Sequence, residues 1–153
     1  MEPSDKEQWK KKVTEVKTFA VPFPLEENQE NITINTNTPS KSSKEQIINQ
    51  AFKFHLQGNI SEATKCYQKL INKGCNDHRV LSNYGAILRD LGKLKKAEFL
   101  YRKSIEIRPE LAEAHYNLGV ILSDLGKLQE AELSYRKAIE LKPDYAEAYS
   151  NLG

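Results

Sequence analysis

Cysteine is scarce in this 153-residue chain, which has only Cys66 and Cys75. Nine positions apart is neither a zinc nor a redox spacing, and the scattered His55, His78 and His115 complete no ligand set. The pair reads as free thiols in a reducing, cytoplasmic setting, and no metal or other cofactor is expected. Long apolar runs are also missing, which argues against a membrane-spanning helix. The N-terminal "MEPSDKEQWKKK" passes from acidic to basic with no apolar stretch behind it, so it is not a signal peptide. Neither sign of charge is in excess: 23 basic and 21 acidic side chains leave a net +2. Divided at residue 43, the first part has 6 lysines and 7 acids, the remainder 17 bases and 14 acids. Neither part is basic enough for a nucleic-acid binder, and the lysines of "KLKK" (Lys93, Lys95, Lys96) read as a solvated helix start. Catalytic signatures are lacking as well. No glycine-rich phosphate loop follows a strand, no serine or cysteine has a base placed beside it, and the paired Glu26 and Glu27 lie in a polar tail. The chain does not read as an enzyme.

Proline is unevenly spread, with four of the six (Pro3, Pro22, Pro24, Pro39) in residues 1–43. The run "NQENITINTNTPSKSSK" buries too little apolar surface to offset its ordering entropy. Residues 1–43 are therefore expected to be a mostly disordered leader, with 20–43 as linker. A short helix is expected over 4–18: Ser4 and Glu7 form a capping box, and Trp9, Val13 and Val16 share a face. Three turns are marginal alone. "FAVPFPL" (Phe19–Leu25) reads as a loosely packed tail; a docking peptide that folds back is the alternative, since residues 28–43 span about 20–25 Å.

From Lys44 onward the chain repeats itself. "NYGAILRDLGKLKKAEFLYRKSIEIRP" from Asn83 returns as "NLGVILSDLGKLQEAELSYRKAIELKP" from Asn117, an offset of 34. Residues 78–111 and 112–145 share 17 of 34 positions; residues 44–77 share only six with 78–111, including Asn49, Gly58, Ala63 and Tyr67. Residues 146–153 begin another copy. Each unit has two helix-length apolar stretches split by a glycine turn, and glycine suits a left-handed helix C-cap. Pro109 and Pro143 close their units. Small residues (Ala51, Gly85, Gly119; Ala63, Ala97, Ala131) mark close helix approach, and Tyr67, Tyr101 and Tyr135 recur as space-fillers. Helices are expected at 44–57, 60–72, 78–91, 94–107, 112–125 and 128–141, with a stub at 146–153.

A period of 34 with Leu118, Gly119, Leu122, Gly126, Ala131, Tyr135, Ala138 and Pro143 resembles the tetratricopeptide repeat, over residues 44–153. The resemblance implies an all-α solenoid of antiparallel helix pairs. The first unit departs from the pattern, with Gln50 and Leu70 at two positions and Cys75 where proline is usual. A pair cannot bury its face alone, so units must stack, and about three are needed for stability. The incomplete fourth copy and the lack of a polar capping helix are expected of the front part of a longer protein. An open end of this kind also invites self-association through the last repeat.

Asn49, Asn83, Asn117 and Asn151 are spaced 34, 34 and 34. The resemblance places the first helix of each unit on the concave face. A ladder of carboxamides there offers donors and an acceptor to the main chain of an extended peptide. The alternative is that each asparagine bonds a neighbouring helix. The ladder is similar to that of the repeat region of O-linked N-acetylglucosamine transferases, where such asparagines hold substrate backbone. In helical phase with it are Glu45, Ile48, Phe52, Arg79, Ser82, Ala86, Arg89, Glu113, Tyr116, Val120 and Ser123; Phe52, Tyr116 and Arg79 are the candidate side-chain contacts. Asp90 and Asp124 recur near helix C-termini, where a negative charge is mildly unfavourable. Family members that clamp a C-terminal carboxylate use lysine and arginine, but Ile48, Glu113 and Asn117 stand at those positions, so that clamp is not expected. The expected function is a non-catalytic scaffold for a protein or peptide, without nucleic acid or membrane. The alternative is the recruiting arm of a glycosyl- or sulfotransferase, since the leader and repeats also resemble repeat proteins of marine picocyanobacteria.

Overall fold

The computed structural model describes residues 39–153. The helix expected over 4–18 and the Phe19–Leu25 stretch lie outside them. Seven helices make up the described residues: α1 (Pro39–Leu56), α2 (Ile60–Asn72), α3 (His78–Asp90), α4 (Leu94–Ile107), α5 (Ala112–Asp124), α6 (Leu128–Leu141) and α7 (Ala146–Leu152). No strand occurs among them, and no helix is long and apolar enough to cross a membrane. The ends fall within one residue of expectation except at the start. There α1 opens at Pro39, five residues before 44, because proline's fixed φ and missing N–H suit a first helical turn.

Local chemistry sets the breaks. Asp77 accepts the Arg79 N–H at 2.9 Å and caps α3, satisfying a donor that the first turn leaves unbonded. Between α5 and α6, Gly126 takes φ +76°. Its N–H donates to the Ser123 carbonyl at 2.9 Å and that of Lys127 to the Leu122 carbonyl at 2.8 Å. This closure needs a left-handed residue, which glycine adopts without strain.

Each helix packs on its predecessor, and α3 also meets α5, two helices on. The core is two linked clusters. One centres on Phe52, Tyr67, Leu70 and Val80, the other on Tyr101, Leu118, Ile121 and Tyr135, and Ile71 and Tyr84 touch both. Tyr67, Tyr101 and Tyr135 are 0, 1 and 4% exposed. The close approaches expected of the small residues are present: a Cβ at Gly85 would lie 2.8 Å from the Tyr101 ring, and one at Gly119 only 2.6 Å from the Tyr135 ring. Cys75, which stands in place of proline, is buried in the first cluster as a free thiol, whereas Pro109 and Pro143 are exposed. The first unit thus ends on a core residue.

Charges tie units together outside the core. Glu98 accepts from Arg102 at 2.9 Å and from Lys127 at 3.1 Å, and Arg102 reaches on to Glu130 at 2.7 Å. Burial raises the Glu98 pKa, but these cationic donors outweigh it and leave it below the usual carboxylate range.

Candidate functional site

The repeated asparagines stand one per unit on the first helices α1, α3, α5 and α7. Asn49 is exposed, and Asn117 is half-buried; the side chains of both make no hydrogen bond among the described residues. Asn83 is 5% exposed. It lies close enough to the Tyr67 hydroxyl to lower that group's pKa against the opposing effect of burial, yet its buried Nδ2 has no partner in hydrogen-bond geometry. Asn151 is half-buried and donates through Nδ2 to the Tyr116 hydroxyl at 3.2 Å. Asn49 and Asn117 therefore stay open for a ligand, Asn83 is enclosed beside Tyr67, and Asn151 donates inside the array.

The other candidate residues separate in the same way. Phe52 is a core residue, 1% exposed, with the Arg79 guanidinium carbon 5.5 Å from its ring centroid. Arg79 itself is half-buried and bound to Asp77 at 2.6 Å and Glu45 at 3.8 Å. Tyr116 is half-buried, its ring 5.9 Å from Tyr135 and 5.0 Å from Tyr145. Ile48, Ser82, Ala86 and Val120 are buried, while Glu45 and Glu113 are exposed. Ser82 shares a 2.7 Å hydrogen bond with Ser104. Asp90 is exposed and pairs with the buried Arg89 at 3.3 Å.

Beneath the asparagines runs a layer that the repeat pattern in the sequence did not disclose. His55, Arg89 and Ser123 are equivalent positions, each twelve residues before a buried tyrosine. His55 Nδ1 lies 3.2 Å from the Tyr67 hydroxyl, and Ser123 Oγ lies 3.2 Å from that of Tyr135. At the middle unit the Arg89 charge lowers the Tyr101 pKa slightly against a large rise from burial. His55 and Ser123 thus serve one purpose from one position, each within hydrogen-bond distance of a tyrosine hydroxyl. Because they differ in identity, only the fixed spacing to the tyrosine was available as a signal.

Burial lowers the His55 pKa, with Asp90 opposing it, and burial also lowers that of His78. The folded state therefore favours the neutral imidazoles, so the unfolded chain binds protons more readily as pH falls through the ordinary value of 6.5. The stability they contribute is present above that pH and is lost below it. The thermal midpoint should be lower at about pH 5.5 than at about pH 7.5, and His55→Gln should flatten part of that dependence. An equally steep dependence in His55→Gln would contradict the burial of a neutral His55. No group of three His, Cys, Asp or Glu among the described residues could hold a metal ion.

Two family models match the chain: the tetratricopeptide repeat over residues 112–145 and the TPR repeat over residues 85–126. A search of curated proteins finds no match. Among solved structures, an O-GlcNAc transferase mutant of Thermobaculum terrenum is 24% identical with a TM-score of 0.66; the match covers 75% of this chain and 22% of that one. The first TPR of Spaghetti bound to an HSP90 peptide is 24% identical with a TM-score of 0.66, over 72% of this chain and 88% of that one. The Yersinia enterocolitica type III secretion chaperone SycD in complex with a peptide of the translocator YopD is 24% identical with a TM-score of 0.64, over 72% and 90%. These likenesses concern the fold; this chain spans less than a quarter of the transferase chain.

Proposed function

As a member of the tetratricopeptide-repeat family, this chain, we propose, is a non-catalytic interaction module that holds an extended peptide along the first helices of its units. The observation that carries this reading is the row of carboxamides: Asn49 is exposed and Asn117 half-buried, and neither side chain makes a hydrogen bond among the described residues. A peptide main chain laid along the row would pair with these free donors and acceptors. Asn83, between them, is enclosed beside the Tyr67 hydroxyl. A carboxamide binds the main chain whatever the side chains, so the row supplies general affinity and its neighbours supply preference. The HSP90-peptide and YopD-peptide complexes of proteins with this fold support peptide as the ligand class.

The test is Asn49→Ala combined with Asn117→Ala. Each lost main-chain hydrogen bond is worth about 0.5–1.5 kcal/mol, so peptides selected on the native chain from a random library should bind about tenfold more weakly to the double variant. The thermal midpoint should stay within about 2 °C, because neither side chain has a hydrogen bond among the described residues to lose. Undiminished binding would sink the reading. Binding and stability lost together would assign the asparagines to packing.

A further inference from the structure

Two histidines grip the turn that joins the second unit to the third, residues 108–111. From α3, His78 Nε2 lies 3.2 Å from Arg108 Nη1. A guanidinium can only donate, so this ring nitrogen accepts and the imidazole is neutral. Arg108 also donates through Nε to Glu110 at 3.1 Å, two residues before α5 opens at Ala112. From α5, His115 Nε2 lies 2.8 Å from the Pro109 carbonyl. A carbonyl can only accept, so here the ring nitrogen donates. One histidine holds the turn by accepting, the other by donating.

The main chain on both sides of the His78–Arg108 contact is anchored. The His78 carbonyl accepts from Ser104 Oγ at 3.1 Å, and Ser104 shares the buried 2.7 Å bond with Ser82. The Arg108 N–H donates to the Ser104 carbonyl at 3.0 Å. The other units lack the pair. Lys44 and Gly74 stand at the equivalent positions of the first unit, Ala112 and Lys142 at those of the third. Lys142 lies over the Tyr145 ring, 5.0 Å from its centroid. The counterparts of His115 are Ile47, Leu81 and Tyr149. The two histidines therefore belong to this joint and are no general feature of the repeat.

Protonation acts on them in opposite ways. An imidazolium has two donors and no acceptor, so His78 would lose its bond and face the Arg108 cation. His115, already a donor, would keep its bond. Around His78, Asp77 and Glu110 favour the charged ring, while Arg79 and Arg108 oppose it. Arg79 is itself held by Asp77 at 2.6 Å and Glu45 at 3.8 Å. Burial is the largest influence and leaves the His78 pKa below its ordinary 6.5. The contact is thus closed at neutral pH and opens as pH falls through that lowered value.

We propose that the 108–111 turn is a pH-sensitive joint: protonation of His78 frees Arg108 and releases the turn from α3, while His115 keeps it tied to α5. Asn83 on α3 and Asn117 on α5 stand on either side of the joint, so the spacing of their row follows it. The inference stands on the joint alone and does not depend on the peptide reading.

The experiment is an NMR titration of the full chain from about pH 8 to about pH 5. The His78 ring should titrate below 6.5, and the backbone amides of Arg108, Glu110 and Leu111 should follow its curve. Arg108→Met, at an exposed position, should raise the His78 midpoint toward 6.5. His115→Gln, whose carboxamide can still donate to Pro109, should leave the amides on the His78 curve. Adding His78→Gln, whose carboxamide oxygen accepts from Arg108 at every pH, should abolish their movement. A His78 midpoint at or above 6.5, or one unchanged by Arg108→Met, would overturn the proposal. Turn amides that stay still in the native chain would overturn it as well. So would an amide response lost in His115→Gln alone, or one that survives both glutamine substitutions.

Discussion

Tyr101→Ala should destabilise the array by about 3–5 kcal/mol, the range for removing a buried aromatic ring. Tyr101 is 1% exposed and fills the gap above Gly85 between α3 and α4. The backbone there is already in contact with the ring, so collapse around the cavity is limited. The middle unit also couples to both neighbours, and in a repeat array stability is a sum of unit and interface terms. Loss at the centre weakens two interfaces at once. Against a typical total of about 5–15 kcal/mol, the variant should melt far earlier in urea, as followed by circular dichroism. Tyr101→Phe keeps the ring and should cost about 1 kcal/mol or less. A Tyr101→Ala cost below about 1 kcal/mol would contradict the packing described.

Gly119→Ala separates two opposed effects. Helix propensity alone favours alanine by about 0.8–1.0 kcal/mol. The new Cβ would stand 2.6 Å from Tyr135 Cε1 and 2.7 Å from Cδ1. That ring is 4% exposed, and its hydroxyl is engaged by Ser123, so it has little room to retreat. Overpacking costs about 1–3 kcal/mol, and the contact is expected to win, giving a net loss of about 1–2 kcal/mol. Gly119→Val, bulkier and stiff at χ1, should lose more than about 3 kcal/mol. Thermal melts of the two variants provide the check, and a raised midpoint for Gly119→Ala would show that α5 and α6 can separate.

The element plan was legible in the sequence because it depends on spacing. Glycine turns, closing prolines and the recurrence of Tyr67, Tyr101 and Tyr135 placed six helices to within a residue or so at nearly every end. The start of α1 at Pro39 was not legible, because the polar composition of residues 39–43 argues for linker while a proline start argues for helix. Cys75 was visible only as a departure from pattern; its burial depends on the neighbours Leu70 and Val80 that the fold brings to it. The candidate site was legible as positions and not as environments. The spacing placed four asparagines in equivalent slots, but burial ranges from exposed Asn49 to enclosed Asn83 because the units flanking each slot differ. Phe52 shared the helical phase of the ladder, yet its larger ring turns into the core and carries Arg79 above it. The polar supports of the tyrosine hydroxyls, His55 and Ser123, share a position without sharing chemistry.

The most direct measurement is an NMR titration of the asparagine side-chain amides with a peptide selected on the native chain. Each Asn Nδ2 gives its own pair of proton signals, so main-chain capture can be read atom by atom. The account predicts that the Asn49 and Asn117 signals move together with the peptide's saturation curve, shifting downfield as their open amides gain an acceptor. Unmoved Asn49 and Asn117 amides, with shifts gathered instead around the exposed Phe99 and Leu133 of the second helices, would contradict it.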